Sequence, residues 1–269
     1  MDKKLLLVFG LIIITSGCLD QSSLNGGEQE ELPNRGLLIE DYSITDEQLR
    51  PEQQAVIRAE FRNYHREIDV QKVELTNYGT LLSVERQGCT PEIGELEEAT
   101  KRVQPRMECS WRVEAPGESE LEGFEERREP VQMRVEYEAS LDSEPLNLDF
   151  RPVEDVTSTA VASTSSSNGE VSLDIAADNP APLESGTALE VVANNNGPGR
   201  LPDGYSFDFE PRRLFEDCED GRKEEGLQGD EVNFVCSLTP DSEGTTNVFV
   251  STDYKYVKEP TLDITLVNN

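Results

Sequence analysis

The sequence predicts an all-β protein built as two tandem sandwich domains. Two observations carry that expectation. Segments along the whole chain alternate apolar and polar residues at period two, and the two halves repeat the same landmarks in the same order.

The alternation is clearest in "AVIRAEF" (Ala55–Phe61), "VQKVELT" (Val70–Thr76), "VQMRVEYEA" (Val131–Ala139) and "TLDITLV" (Thr261–Val267). Side chains of a strand point to opposite faces in turn, so each run puts one face in a core and one in water. Clusters such as "NPAPLESG" (Asn179–Gly186) and "NNNGPGRLPDG" (Asn194–Gly204) break the runs as turns do. One helix is expected, over "ELEEATKRV" (Glu95–Val103). Several short strands at even spacing point to a sandwich.

The repeat rests on three features. Cys89 and Cys109 lie twenty positions apart, Cys218 and Cys236 eighteen. Each second cysteine opens the triplet Cys-Ser-apolar, in "ECSWRV" and "VCSLTP". Each half closes on a similar strand pair carrying a Glu-Pro, at Glu144-Pro145 and Glu259-Pro260. Three matches in register argue for duplication of a unit of about 100 to 115 residues. The first domain is expected over 36–152 and the second over 170–269. Between them, 153–169 is rich in Ser and Thr without large apolar residues, and reads as a linker able to carry O-linked sugar.

Four cysteines allow three pairings. The repeat selects Cys89 with Cys109 and Cys218 with Cys236, one bridge per domain, each expected to tie a long loop to the next strand. A four-cysteine zinc site needs pairs two to four residues apart, and the sequence has none.

The N-terminus supplies a location. Lys3 and Lys4 precede ten apolar residues, Leu5–Ile14, and then the small or polar Thr15, Ser16 and Gly17. This is the order of a secretory signal, and the run is short of the roughly 20 residues that span a bilayer. "TSGC" (Thr15–Cys18) resembles the lipobox of prokaryotic lipoproteins, which implies a lipid on Cys18. Thr15 departs from that pattern, which prefers an aliphatic residue there, so an uncleaved signal anchor and cleavage without lipid are the alternatives. Residues 1–18 are thus the signal segment with its cysteine. Residues 19–35 are polar, without periodicity, and read as a flexible tether.

"NPAPLESGTALEVVANNNG" (Asn179–Gly197) resembles the opening of CARDB-type and other immunoglobulin-like domains of prokaryotic surface proteins. "LRPEQQAVIRAEFRN" (Leu49–Asn63) is a weaker copy that lacks the Gly. The resemblance implies two immunoglobulin-like sandwiches in a cell-surface setting, with no enzyme activity attached.

Charge narrows the partners. There are 55 acidic and 24 basic residues, a formal charge of -31. Nucleic acid and anionic membrane surfaces repel such a field. With 7 Lys against 17 Arg, the composition resembles the surface of a protein from a salt-loving organism.

No catalytic constellation stands out. His65 is the single histidine, so neither a histidine metal triad nor a "GxSxG" serine site is present, and it reads as a strand-end surface residue. The acidic loop Glu216–Gly226 reads as solvated, because Cys218 interrupts the alternate ligand series that Ca²⁺ loops require. "YSFDF" (Tyr205–Phe209) and "YKY" (Tyr254–Tyr256) read as packing. No cofactor is expected. The expectation is a lipid-anchored, extracytoplasmic binding, adhesion or spacer protein without catalysis. Its membrane contact is the N-terminal lipid, and its partner an unnamed surface protein or glycan met by residues 170–269 through the acidic loop and the turn Asn194–Gly204. The alternatives are an accessory subunit of an envelope complex and a carboxylate-dependent secreted hydrolase.

Overall fold

The structure, a computed structural model, describes residues 36–66, 68–79, 83–100, 102–183, 187–215, 218 and 230–268. Cys18, the signal segment, the tether and all of the acidic loop except Cys218 lie outside them.

The first half supplies β1 (Leu37–Ile44), β2 (Gln48–Leu49), β3 (Gln54–Asn63), β4 (Ile68–Asn77) and β5 (Ser83–Thr90). It continues with β6 (Glu95–Leu96), β7 (Arg106–Glu114), β8 (Glu126–Asp142) and β9 (Leu146–Arg151). The second half supplies β10 (Ala160–Ser167), β11 (Val171–Asn179), β12 (Ala181–Pro182) and β13 (Thr187–Asn195). Its remaining strands are β14 (Tyr205–Glu210), β15 (Glu231–Leu238), β16 (Gly244–Lys258) and β17 (Thr261–Val267). The fold is all-β, and the four alternating runs all lie in strands.

Each half has its own four-stranded sheet, β1-β3-β7-β5 and β10-β11-β13-β15. These pack in sandwich fashion with a nine-stranded sheet to which both halves contribute. The period-two pattern explains the packing. Ala55, Ile57, Ala59 and Phe61 of β3 are buried, as are Leu189, Val191 and Ala193 of β13, while the residues between them are less buried or exposed. A fully buried Val, Leu, Ile or Phe contributes about 1.5–3 kcal/mol, so these inward rows hold the two layers together.

The shared sheet has a reciprocal plan. β8 pairs antiparallel with β16. β9, which follows β8, pairs with β16, and β17, which follows β16, pairs with β8. β4 flanks β8 as β14 flanks β16. The halves thus exchange their last strands, and all described strands belong to one compact unit.

Two expectations need correction. The segment expected as a linker, 153–169, holds a 3-10 turn at Val153–Asp155 and strand β10, paired with β11 from Ala160↔Asn179 to Ser167↔Ser172. Small side chains concealed it, because an edge strand is held by its backbone ladder and needs little apolar bulk. Within the helix expected over Glu95–Val103, Glu95–Leu96 is instead a short strand on β4. Ala99 N–H then donates to the His65 carbonyl at 2.7 Å, and the Thr100 and Val103 backbones bond each other. So short a segment is marginal as a helix without packing, and Leu96 and Ala99 are buried by neighbours outside it.

Candidate functional site

An acidic groove lies on the outer face of the shared sheet. Cross-strand register builds it. Ser206 of β14, Asp253 of β16 and Ser140 of β8 stand side by side; so do Asp208, Ser251 and Asp142. Lys255, Glu138 and Asp69 make a third row across β16, β8 and β4. Behind this face Tyr205, Tyr254 and Tyr256 are buried in the core. Short serine side chains between longer acids leave a hollow of about 510 Å³, which Asp203 and Gly204 also line.

The charge in the groove is poorly balanced. Asp69, Glu138, Asp203 and Asp253 line it, with Lys255 as the cation among the lining residues. Lys255 Nζ lies 3.0 Å from Glu136 Oε2, so its charge is partly committed there. Burial opposes the ionised form of Glu136, but hydrogen bonds from Lys255 and Arg134 outweigh it and hold the carboxyl below its ordinary value. Asp253 goes the other way: burial raises it, and so do Asp142 and Asp208. Asp142 is paired with Arg66, and Asp208 with Arg212 at 3.1 Å. A carboxylate raised by burial and by like charges is favoured in its ionised form by a cation brought beside it.

A second polar cluster is buried. Tyr137 OH donates to Glu170 Oε1 at 2.5 Å, and Lys258 Nζ lies 2.5 Å from the same oxygen. Lys258 also donates to the Leu37 carbonyl and sits 5.8 Å from the ring centres of Tyr137 and Tyr256. Burial, then Glu170, pushes Tyr137 well above the ordinary tyrosine value. Burial pushes Tyr256 up to about 12, against the Gly199 N–H that stabilises its ionised form.

This cluster holds the turn Asn194–Gly204. Asn196 and Gly197 N–H donate to the Glu170 carbonyl at 2.7 and 3.0 Å. Tyr256 OH donates to Asn195 Oδ1 at 2.9 Å and accepts from Gly199 N–H at 3.0 Å. A Cβ on Gly199 would stand 2.3 Å from the Tyr256 ring, so only glycine fits. The turn expected as a recruiting loop is therefore tethered at Asn195–Gly199, where Asn196 and Pro198 stay exposed, and its far end, Asp203–Gly204, lines the groove.

The other singled-out residues fall as follows. Cys89 and Cys109 form a disulfide, and so do Cys218 and Cys236. The first joins directly opposed residues of neighbouring strands β5 and β7, not a loop to a strand. The second ties a residue just beyond the 3-10 turn Arg212–Leu214 to β15. His65 is half-buried after β3, with its N–H bonded to Asn63 Oδ1 at 3.0 Å. Burial and then Arg66 lower its pKa, against Glu98 and Asp142. Tyr205, Phe207, Phe209, Tyr254 and Tyr256 are core. Among the described residues, no three His, Cys, Asp or Glu are grouped to hold a metal ion. Sequence reasoning missed Asp253, Ser140 and Ser206 as groove residues, and the Glu170–Lys258 pair. The polar positions of β8 and β16 were legible as a water-facing row, but nothing local in the sequence aligns that row with β14.

No protein-family model and no curated protein matches the chain. Among solved structures, the crystal structure of the collagen adhesin from S. aureus aligns over 88% of this chain and 94% of its own at 8% identity. Its TM-score is 0.19, and a likeness that loose carries no argument about fold or partner.

Proposed function

We propose that this chain is a non-catalytic binding protein of the cell surface, anchored through a lipid on Cys18, that receives a basic partner in the acidic groove. The observation that supports the reading is the imbalance around Asp253. Burial, and then the like charges of Asp142 and Asp208, hold its carboxyl above its ordinary value, and a Lys- or Arg-bearing segment of a surface protein would offset the repulsive part. Electrostatic complementarity of this kind gives specificity and on-rate more than raw affinity.

The groove is tested by titrating the soluble chain with an oligolysine peptide at low and high salt. Binding that weakens with salt and drops in the Asp253→Asn and Asp69→Asn variants supports the reading. Binding that both substitutions leave unchanged rejects it. The anchor is tested separately: Cys18→Ser is expected to release the protein from membranes or block its processing, and an unmodified Cys18 in membrane-free mature protein refutes lipidation.

A further inference from the structure

Four stretches distant in sequence meet at one buried ion pair. Glu170 follows the β10–β11 turn, Lys258 ends β16, Tyr137 lies in β8, and Gly36 immediately precedes β1, which Leu37 opens. Glu170 is 4% exposed and Leu37 1%. Lys258 neutralises Glu170 Oε1 and also holds the Leu37 carbonyl. Glu170 Oε2 is buried with no hydrogen-bond partner among the described residues. It lies against Gly36, where an added Cβ would stand 2.3 Å away. A hollow of about 210 Å³ adjoins it, lined by Gly36, Leu37, Leu38, Gly169, Pro198 and Lys258 together with Glu170.

These facts set two tendencies against each other. A buried carboxylate oxygen without a donor is costly. Lifting Gly36 lets water enter by the adjoining hollow and solvate Oε2, which lowers that cost. Opposing the lift are the burial of Leu37, the bond from Lys258 to its carbonyl, and the bond from Tyr64 N–H to the Gly36 carbonyl at 3.3 Å. Strands β11 and β13 are paired on both sides within their sheet, whereas β1 pairs on one side only, with β3.

We propose that Glu170 and Lys258 form a latch on the start of β1, so that this end of the body opens when the latch is released. The segment leading to the N-terminus enters the fold at this point, so a pull from that side meets the latch before it meets the core. The latch stands on its own geometry and holds whether or not Cys18 carries lipid.

The test is hydrogen exchange on the full chain, comparing peptides covering 36–44 with peptides covering 171–179. Two variants are used, Lys258→Met and the charge-neutral double Lys258→Met with Glu170→Gln. The double variant leaves no unpaired buried charge and keeps the test valid if the single variant does not fold. In each variant that folds, exchange over 36–44 is expected to accelerate about tenfold relative to 171–179. No acceleration over 36–44, or equal acceleration in both segments, overturns the latch, because the pair is then an ordinary member of the core.

Discussion

Tyr137 and Tyr256 stand directly opposite each other where β8 crosses to β16, their ring centroids 5.7 Å apart. They mark the middle of the reciprocal plan. On either side of them, the last strand of each half crosses to pair with the long strand of the other.

The exchange predicts that neither half folds alone. A fragment 36–152 keeps β9 but lacks β16, its partner, and lacks β17 from the edge of β8. A fragment 153–269, which keeps β10 with the second half, has the converse defects. Each is expected to show no near-UV circular dichroism by itself, and mixing the two is expected to restore it. A fully folded monomeric 36–152 fragment would refute the shared core.

The disulfides are expected to matter to the whole body. Closing a loop near 20 residues stabilises by about 3 kcal/mol in the chain-entropy model. Replacing Cys89 and Cys109 together with Ser is expected to lower Tm by roughly 6 to 12 °C for a body of this size. Because the halves share a sheet, calorimetry is expected to show one transition at the lower temperature. Separate transitions for the two halves would contradict this.

Asp253 gives a pH prediction. Its folded pKa is raised, so its ionisation opposes folding as pH rises through and above that value, and the penalty is absent below the unfolded value. Asp253→Asn is therefore expected to raise Tm at neutral pH, with the gain disappearing below the ordinary aspartate range. A gain of equal size at acid pH would show that packing, not charge, is responsible.

Salt is expected to stabilise the chain. A formal charge of -31 crowds like charges. The screening length falls from about 10 Å at 0.1 M to about 3 Å at 1 M. Tm is expected to climb across that range, and a flat or falling midpoint would argue against a surface adapted to high salt.

The strands were legible because alternation is a local signal. Ala55–Phe61 reads as β3 from seven residues. The cysteine pairs were legible because the repeat repeats them. The exchange was not, since "VQMRVEYEA" and "TLDITLV" carry the same pattern whichever half they pair with. Strand β10 was concealed because Ser163 and Ser165 satisfy an edge position with no apolar signature. The groove depends on the alignment of Asp253 with Ser140 and Ser206, and the latch on Lys258 reaching Leu37, 221 positions away. Register across such separations is a property of the closed sheet.

Synthesis order is constrained by the same closure. Thr265 of β17 pairs with Gln48 of β2, and Leu266 with Leu49. A chain emerging N-terminus first can pair β1, β3, β7 and β5, but leaves β2, β8 and β9 without β16 and β17 while those strands are still to come. Long-range pairing of this kind is slow and leaves strand edges open in the interval. The first half must wait, unfinished, until residue 267 has emerged, and a chaperone or a translocation channel that holds it extended would suit that wait.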